Sequence, residues 1–207
     1  PGADITLTAD SESTPDGIGG VQIGTLGAIA TSGSVTLTGS DLFITGGTLD
    51  SVEVASDGAN IQVQGAGNIV IEDGANAPAN AQTIINGVIS GTSAITVTAE
   101  DDILLGADGD ISGLASTVTL SAGTGEIVMA DGAIINAGSG TIDLDANGNI
   151  TIGGLETTSE VQATSATGAI LDGGNADIDI NAGLAALRAV NGIGDDANPL
   201  ETASNGA

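Results

Sequence analysis

Almost every side chain able to do chemistry in this sequence is a carboxylate. The 207 residues include 27 Asp and Glu, a single cation (Arg188), and no His or Cys, for a formal net charge of -26. Without imidazole or thiol, His- and Cys-based catalysis and ordinary zinc coordination are excluded. What remains is oxygen chemistry: holding a hard divalent cation such as Ca2+, or acid–base work by paired carboxylates. The best calcium pattern is Asp143-Leu144-Asp145-Ala146-Asn147-Gly148-Asn149-Ile150. Here Asp143, Asp145 and Asn147 stand at places 1, 3 and 5 of an EF-hand loop, with Gly148 at place 6. Place 12 is Gly154 where a bidentate Glu is needed, and Glu156 is two residues late. A strand, an Asn-Gly corner and a second strand explain the same residues. The segment from Gly173 to Asp179 partly matches the calcium nonapeptide, with Asp177 and Asp179 as its acids, but it lacks the third Gly and has no tandem copy. Asp108 and Asp110, either side of Gly109, are weaker still. Paired-carboxylate hydrolysis of a glycoside is disfavoured: the acids are scattered, no cation accompanies them, and no Trp or Tyr is present to hold a sugar. The chain is not expected to be an enzyme. No cofactor is required, and Ca2+ is the one the donors suit.

These residues need elements to position them. Hydrophobic residues make up 41% of the chain and its mean hydropathy is +0.31, so the charge does not imply disorder. With one Phe (Phe43) and one Met (Met129), the core must be Ile, Val, Leu and Ala. Apolar residues alternate with polar ones in short runs, among them Ile5–Thr8, Val35–Thr38, Val52–Val54, Ile61–Gln64, Ile69–Glu72, Ile95–Thr98, Val118–Leu120, Ile127–Met129, Ile142–Asp145, Ile150–Ile152 and Ile178–Ile180. This period-two pattern is that of half-buried strands. Asp-Gly and Asn-Gly pairs between the runs make tight corners.

Runs begin at 127, 134, 142 and 150, and at 161, 170, 178 and 187, a spacing of seven to nine residues. Three such sides give roughly 22–27 residues per turn of a solenoid. The expected fold is all-β: a right-handed parallel β-helix of about 8–9 coils, some 40 Å long at ~4.8 Å per coil. An antiparallel sandwich shares the strand spacing, but the short strands and missing aromatics disfavour it. Pro-bearing insertions around Pro15, Pro78 and Pro199 are expected as loops. Residues 1–207 form one continuous solenoid segment, expected to belong to a longer chain or an end-to-end filament. The one helical candidate, Leu184–Val190, is short. No apolar run is long enough to span a bilayer, so no membrane insertion is expected. One cation cannot bind a phosphate backbone, so nucleic acid is not a partner.

Runs such as Ser34-Val35-Thr36-Leu37-Thr38-Gly39, with Ala99 and Ala122 closing similar strands, resemble the right-handed parallel β-helix repeats of large bacterial surface and exported proteins, the filamentous-haemagglutinin-type adhesins and giant repetitive β-helical proteins. The segment Gly192–Thr202 resembles a junction between modules of such proteins. The resemblance implies an extracellular or cell-surface location in a bacterium. The function it implies is that of a structural segment of a filament or matrix that self-assembles by stacking coils. Its partners would be copies of itself, neighbouring coils of a longer chain, or cell-surface and matrix components. The alternative is the stalk of an adhesin. A calcium-binding surface-layer protein and a β-helical polysaccharide enzyme are minor alternatives.

Charge is the distinctive departure. Spread over the rod it amounts to about one charge per ~1.6 Å, close to that of duplex DNA. Carboxylates at equivalent positions of stacked coils would repel. Thr-x-Thr pairs at Thr6/Thr8, Thr36/Thr38 and Thr96/Thr98 are expected not to fall one coil apart, which argues against an ice-binding array.

Overall fold

The computed structural model describes the strands of residues 5–91, then residues 94–99, 101–107, 109–113, 115–174 and 177–205. Side chains are described at Ile85 and Ile89 and throughout the later segments. The chain is a parallel β-solenoid, with sheets of nine, six and six strands in which every pairing is parallel. A two-stranded parallel pair, Gly20–Ile23 with Asp41–Ile44, alternates in sequence with the first strands of the nine-stranded sheet.

One turn shows the plan. Val118–Ala122 lies on the first side, Ile127–Met129 on the second and Ile134–Gly138 on the third. The next turn repeats it with Ile142–Ala146, Ile150–Ile152 and Gly154–Thr157. Closed turns of this kind number about five, not eight or nine. The count is lower because, among the described residues, the third side begins only at Ile89–Gly91, although the first side is stacked from Ile5 onward; the steps between turns are also unequal. Ile5, Val35, Val52 and Ile69 are successive neighbours, so the early turns advance by 30, 17 and 17 residues. Later, Ile95, Val118, Ile142, Val161 and Ala185 stack at steps of 23, 24, 19 and 24. Leu184–Ala189 is a strand, not a helix.

Alternation decides the core. On the first side Val97, Leu120, Leu144 and Ala163 form one buried column, and Ala99, Ala122, Ala146 and Ser165 another at the corner. Ile103, Ile127, Ile150 and Ile170 stack on the second side. Branched aliphatics on identical pleats interlock along the axis without aromatics. The corners are too tight for a Cβ in places: one added to Gly168 would sit 2.5 Å from Gly148 C and 2.6 Å from Asn149 N of the coil below.

The acidic side chains are kept apart. Asp143 lies between Thr119 and Gln162, Asp145 between Ser121 and Thr164, and Glu156 between Asn136 and Asn181. In none of the described strand pairings does an acid stand opposite an acid. The expected like-charge stacks are therefore absent from the ladders. Some carboxylates instead join coils. Asp102 Oδ1 accepts from Glu126 N at 2.9 Å and Asp110 Oδ1 from Ile134 N at 2.9 Å, each one coil on. Asn side chains do the same, Asn149 Nδ2 donating to Glu126 Oε1 at 2.9 Å and Asn191 Nδ2 to Thr167 O at 2.7 Å.

The register also corrects the threonine reading. Thr6 and Thr8 stand directly beside Thr36 and Thr38, so those pairs are one coil apart. The run stops there, since Thr36 next meets Glu53 and Thr38 meets Ala55.

Candidate metal centre

Among the described residues, acids collect at one place, where strands end and begin. Asp172 ends the strand Ile170–Asp172, Asp179 immediately precedes Ile180–Ala182, and Glu201 immediately precedes Thr202–Ser204. One carboxylate oxygen from each lies within 4.8 Å of the other two, the only such trio of acids among the described residues.

Local structure explains the convergence. After Asp172 the chain leaves the ladder: Gly173 N donates to Ile152 O at 2.7 Å, and Gly174 N donates back to Asp172 Oδ1 at 2.8 Å. Gly174 takes φ +115, which a side chain would resist. This Asx turn engages one oxygen of Asp172 and leaves Oδ2 buried without a partner. Asp179 is stitched in from both neighbouring coils. Its carbonyl accepts from Leu155 N at 2.7 Å, and its own N–H donates to Glu201 O at 3.0 Å. Ile180, the next residue, stands beside Leu155 in the ladder. Asp179 is only 1% exposed. Its Oδ2 accepts from Glu201 N at 2.7 Å, while Oδ1 has no partner. Glu201 Oε2 is likewise buried and unpartnered.

Three carboxylates this close cannot all stay ionised without compensation. At an effective dielectric of about 20, each pair at such a separation repels by about 3 kcal/mol. Asp179 is raised far above the usual carboxylate range, to about 7. Burial is the main cause. The Asp172 charge and the nearness of the Glu201 and Asp172 carboxyls push the same way, against the Glu201 N–H. The trio either holds a proton between its members or takes in a cation. Its oxygen-only donors suit Ca2+ or Mg2+.

Of the expected ligands, Asp179 alone belongs to this trio. Asp143 and Asp145 sit on the outer face of Ile142–Ala146, half-buried and exposed, and among the described residues no third acid joins them. Burial, then the Asp145 charge, raises the pKa of Asp143. Asn147 Nδ2 donates to Thr124 O at 3.2 Å. The EF-hand-like segment runs as a strand, a corner and a strand. Asp177 is exposed and outside the trio, and the nonapeptide-like match includes Asn175 and Ala176, which lie outside the described residues, as do Asp108, Pro15 and Pro78. The side chain of Phe43 is not among those described.

Asp172 and Glu201 were not singled out from the sequence. One signal was available. Asp179 and Glu201 each precede the start of a third-side strand, one coil apart.

No protein family, curated protein or solved structure matches the chain. Among the described residues no helix is long and apolar enough to cross a membrane.

Proposed function

We propose that this chain is a structural rod segment of an extracellular or cell-surface fibre, extended by stacking a further parallel β-coil on its last described turn. The carrying observation is the state of the interior columns at that turn. Ile103, Ile127, Ile150 and Ile170 are fully buried, whereas Ile193, bridged to Ile170 next in the same column, is 47% exposed. Leu187 continues the column of Leu120, Leu144 and Ala163, yet is only partly buried. Together with Pro199 and Leu200 these residues line an open groove. An exposed core column beside an unpaired ladder edge is a template for more of the same structure. The separation of acids along the ladders supports this reading, since successive coils stack without opposing like charges.

The purified chain is imaged by electron microscopy over a range of concentrations, beside Ile193→Asp. Rods that lengthen with concentration, and fail to do so in the variant, are expected. Short particles of constant length at every concentration would overturn stacking between copies.

A further inference from the structure

We infer that Asp172, Asp179 and Glu201 form a calcium site that clamps the last described turn to the turn before it. In ladders that otherwise hold acids apart, this trio is brought together by loops, and the acid at its centre is almost wholly buried. A cluster of acids alone has many explanations. The decisive feature is that Asp179, 1% exposed, keeps an unpartnered Oδ1 within this trio, and that Asp172 Oδ2 and Glu201 Oε2 are likewise buried without partners. Each acid spends one interaction locally: Asp172 Oδ1 on Gly174 N, Asp179 Oδ2 on Glu201 N. Those bonds fix the side chains and leave an oxygen of each acid buried without a partner. Unmet buried acceptors are rare, and three of them in one place call for a positive charge.

The donors choose the ion. All are carboxylate oxygens, which excludes a soft metal. Three protein oxygens with water completing the shell suit Ca2+, whose flexible geometry tolerates ligands drawn from two loops and a strand end. Bound there, the ion joins the end of a second-side strand to the starts of two successive third-side strands. It would hold the excursion after Asp172 and the segment before Thr202 in place. A cation that binds only the folded chain raises its stability by mass action.

The test uses the whole chain, stripped with EDTA and dialysed into about 0.15 M KCl to screen the general acidic surface. CaCl2 is titrated by calorimetry, and thermal unfolding is followed by circular dichroism with and without it. Saturable binding of one Ca2+ per chain and a higher melting temperature are expected. Asp172→Asn and Glu201→Gln, both at half-buried positions, should weaken binding at least about tenfold. The Asp143→Asn/Asp145→Asn double variant should bind like the parent. An absence of saturable binding, or binding unchanged in Asp172→Asn and Glu201→Gln, would overturn the site. So would binding of MgCl2 with none of CaCl2. Calorimetry reads the single chain and microscopy reads its assembly, so failure here and failure of the rod reading are separable.

Discussion

Asp179 and Glu201 hold each other by two reciprocal hydrogen bonds: Asp179 N donates to Glu201 O at 3.0 Å, and Glu201 N donates to Asp179 Oδ2 at 2.7 Å. The first is a ladder bond between coils. The second puts a side-chain acceptor where the ladder provides no carbonyl, as Asp102 and Asp110 do for Glu126 N and Ile134 N. At Asp102 and Asp110 the carboxylate is half-buried, so its charge remains near water. At Asp179 the same device sits in the interior, and the hydrogen bond and the charge pull in opposite directions.

Two substitutions separate them. In EDTA, Asp179→Asn keeps an oxygen for Glu201 N, removes the buried charge, and offers an NH2 to the Asp172 and Glu201 carboxylates. It should melt at or above the parent. Asp179→Ala orphans the Glu201 N–H and should be less stable than Asp179→Asn by about 1–3 kcal/mol. Chemical denaturation of both variants decides the matter. Equal stability would mean that the Glu201 N–H bond contributes nothing.

The pH dependence of the calcium-free chain follows from the same groups. Asp179, at about 7, and Asp143 both bind their protons more tightly folded than unfolded. Such groups add stability in full below the ordinary value of 3.8. They lose it as pH rises through the folded value. The melting temperature in EDTA should therefore fall from about pH 5 to about pH 8, by several degrees at about 2–4 °C per kcal/mol for a chain of this size. Asp179→Asn should flatten the slope over the upper part of that window. A melting temperature that rises with pH would contradict the assignment.

How far the sequence led is clearest around these residues. The runs at Ile142–Asp145 and Ile150–Ile152 became strands where the alternation put them, with Ile142, Leu144, Ile150 and Ile152 buried. A regular ladder enforces parity, and parity is visible in a sequence. The run Ile178-Asp179-Ile180 carries the same pattern and misleads. Ile178 is 54% exposed, Asp179 is buried, and the strand starts only at Ile180. There the chain re-enters the ladder from an excursion, so Asp179 is oriented by its bonds to Leu155 N and to the Glu201 backbone rather than by strand parity. The fold class was legible because it rests on repetition. The acidic trio was not, because it rests on three departures from repetition whose meeting depends on which coils are neighbours.

Gly168 shows how closely the coils approach at corners. A Cβ there would meet Gly148 C at 2.5 Å and Asn149 N at 2.6 Å, both backbone atoms that cannot rotate away. Gly168 N also donates to Ser165 Oγ at 3.0 Å, and that hydroxyl donates to Gly148 O at 2.6 Å. Moving the corner outward would loosen both bonds. Gly168→Ala should cost about 1–3 kcal/mol, measured by urea unfolding. A neutral result would show that the corner relaxes freely.

Leu144 and Leu187 stand in the same inward column, two coils apart, and test the open end directly. Leu144 is fully buried, with Leu120 below it and Ala163 above. Leu144→Ala should therefore cost about 2–5 kcal/mol. Leu187 has a coil on one side only and is partly buried. In dilute solution Leu187→Ala should cost less than half as much, because less apolar surface returns to water. If a further coil stacks on this turn at high concentration, Leu187 becomes an interior residue, and the difference between the two variants should shrink as the chain is concentrated. Unfolding midpoints for both variants across a dilution series measure this. A penalty for Leu187→Ala equal to that for Leu144→Ala at every dilution would mean that the column is already covered within one chain, and stacking would lose its structural basis.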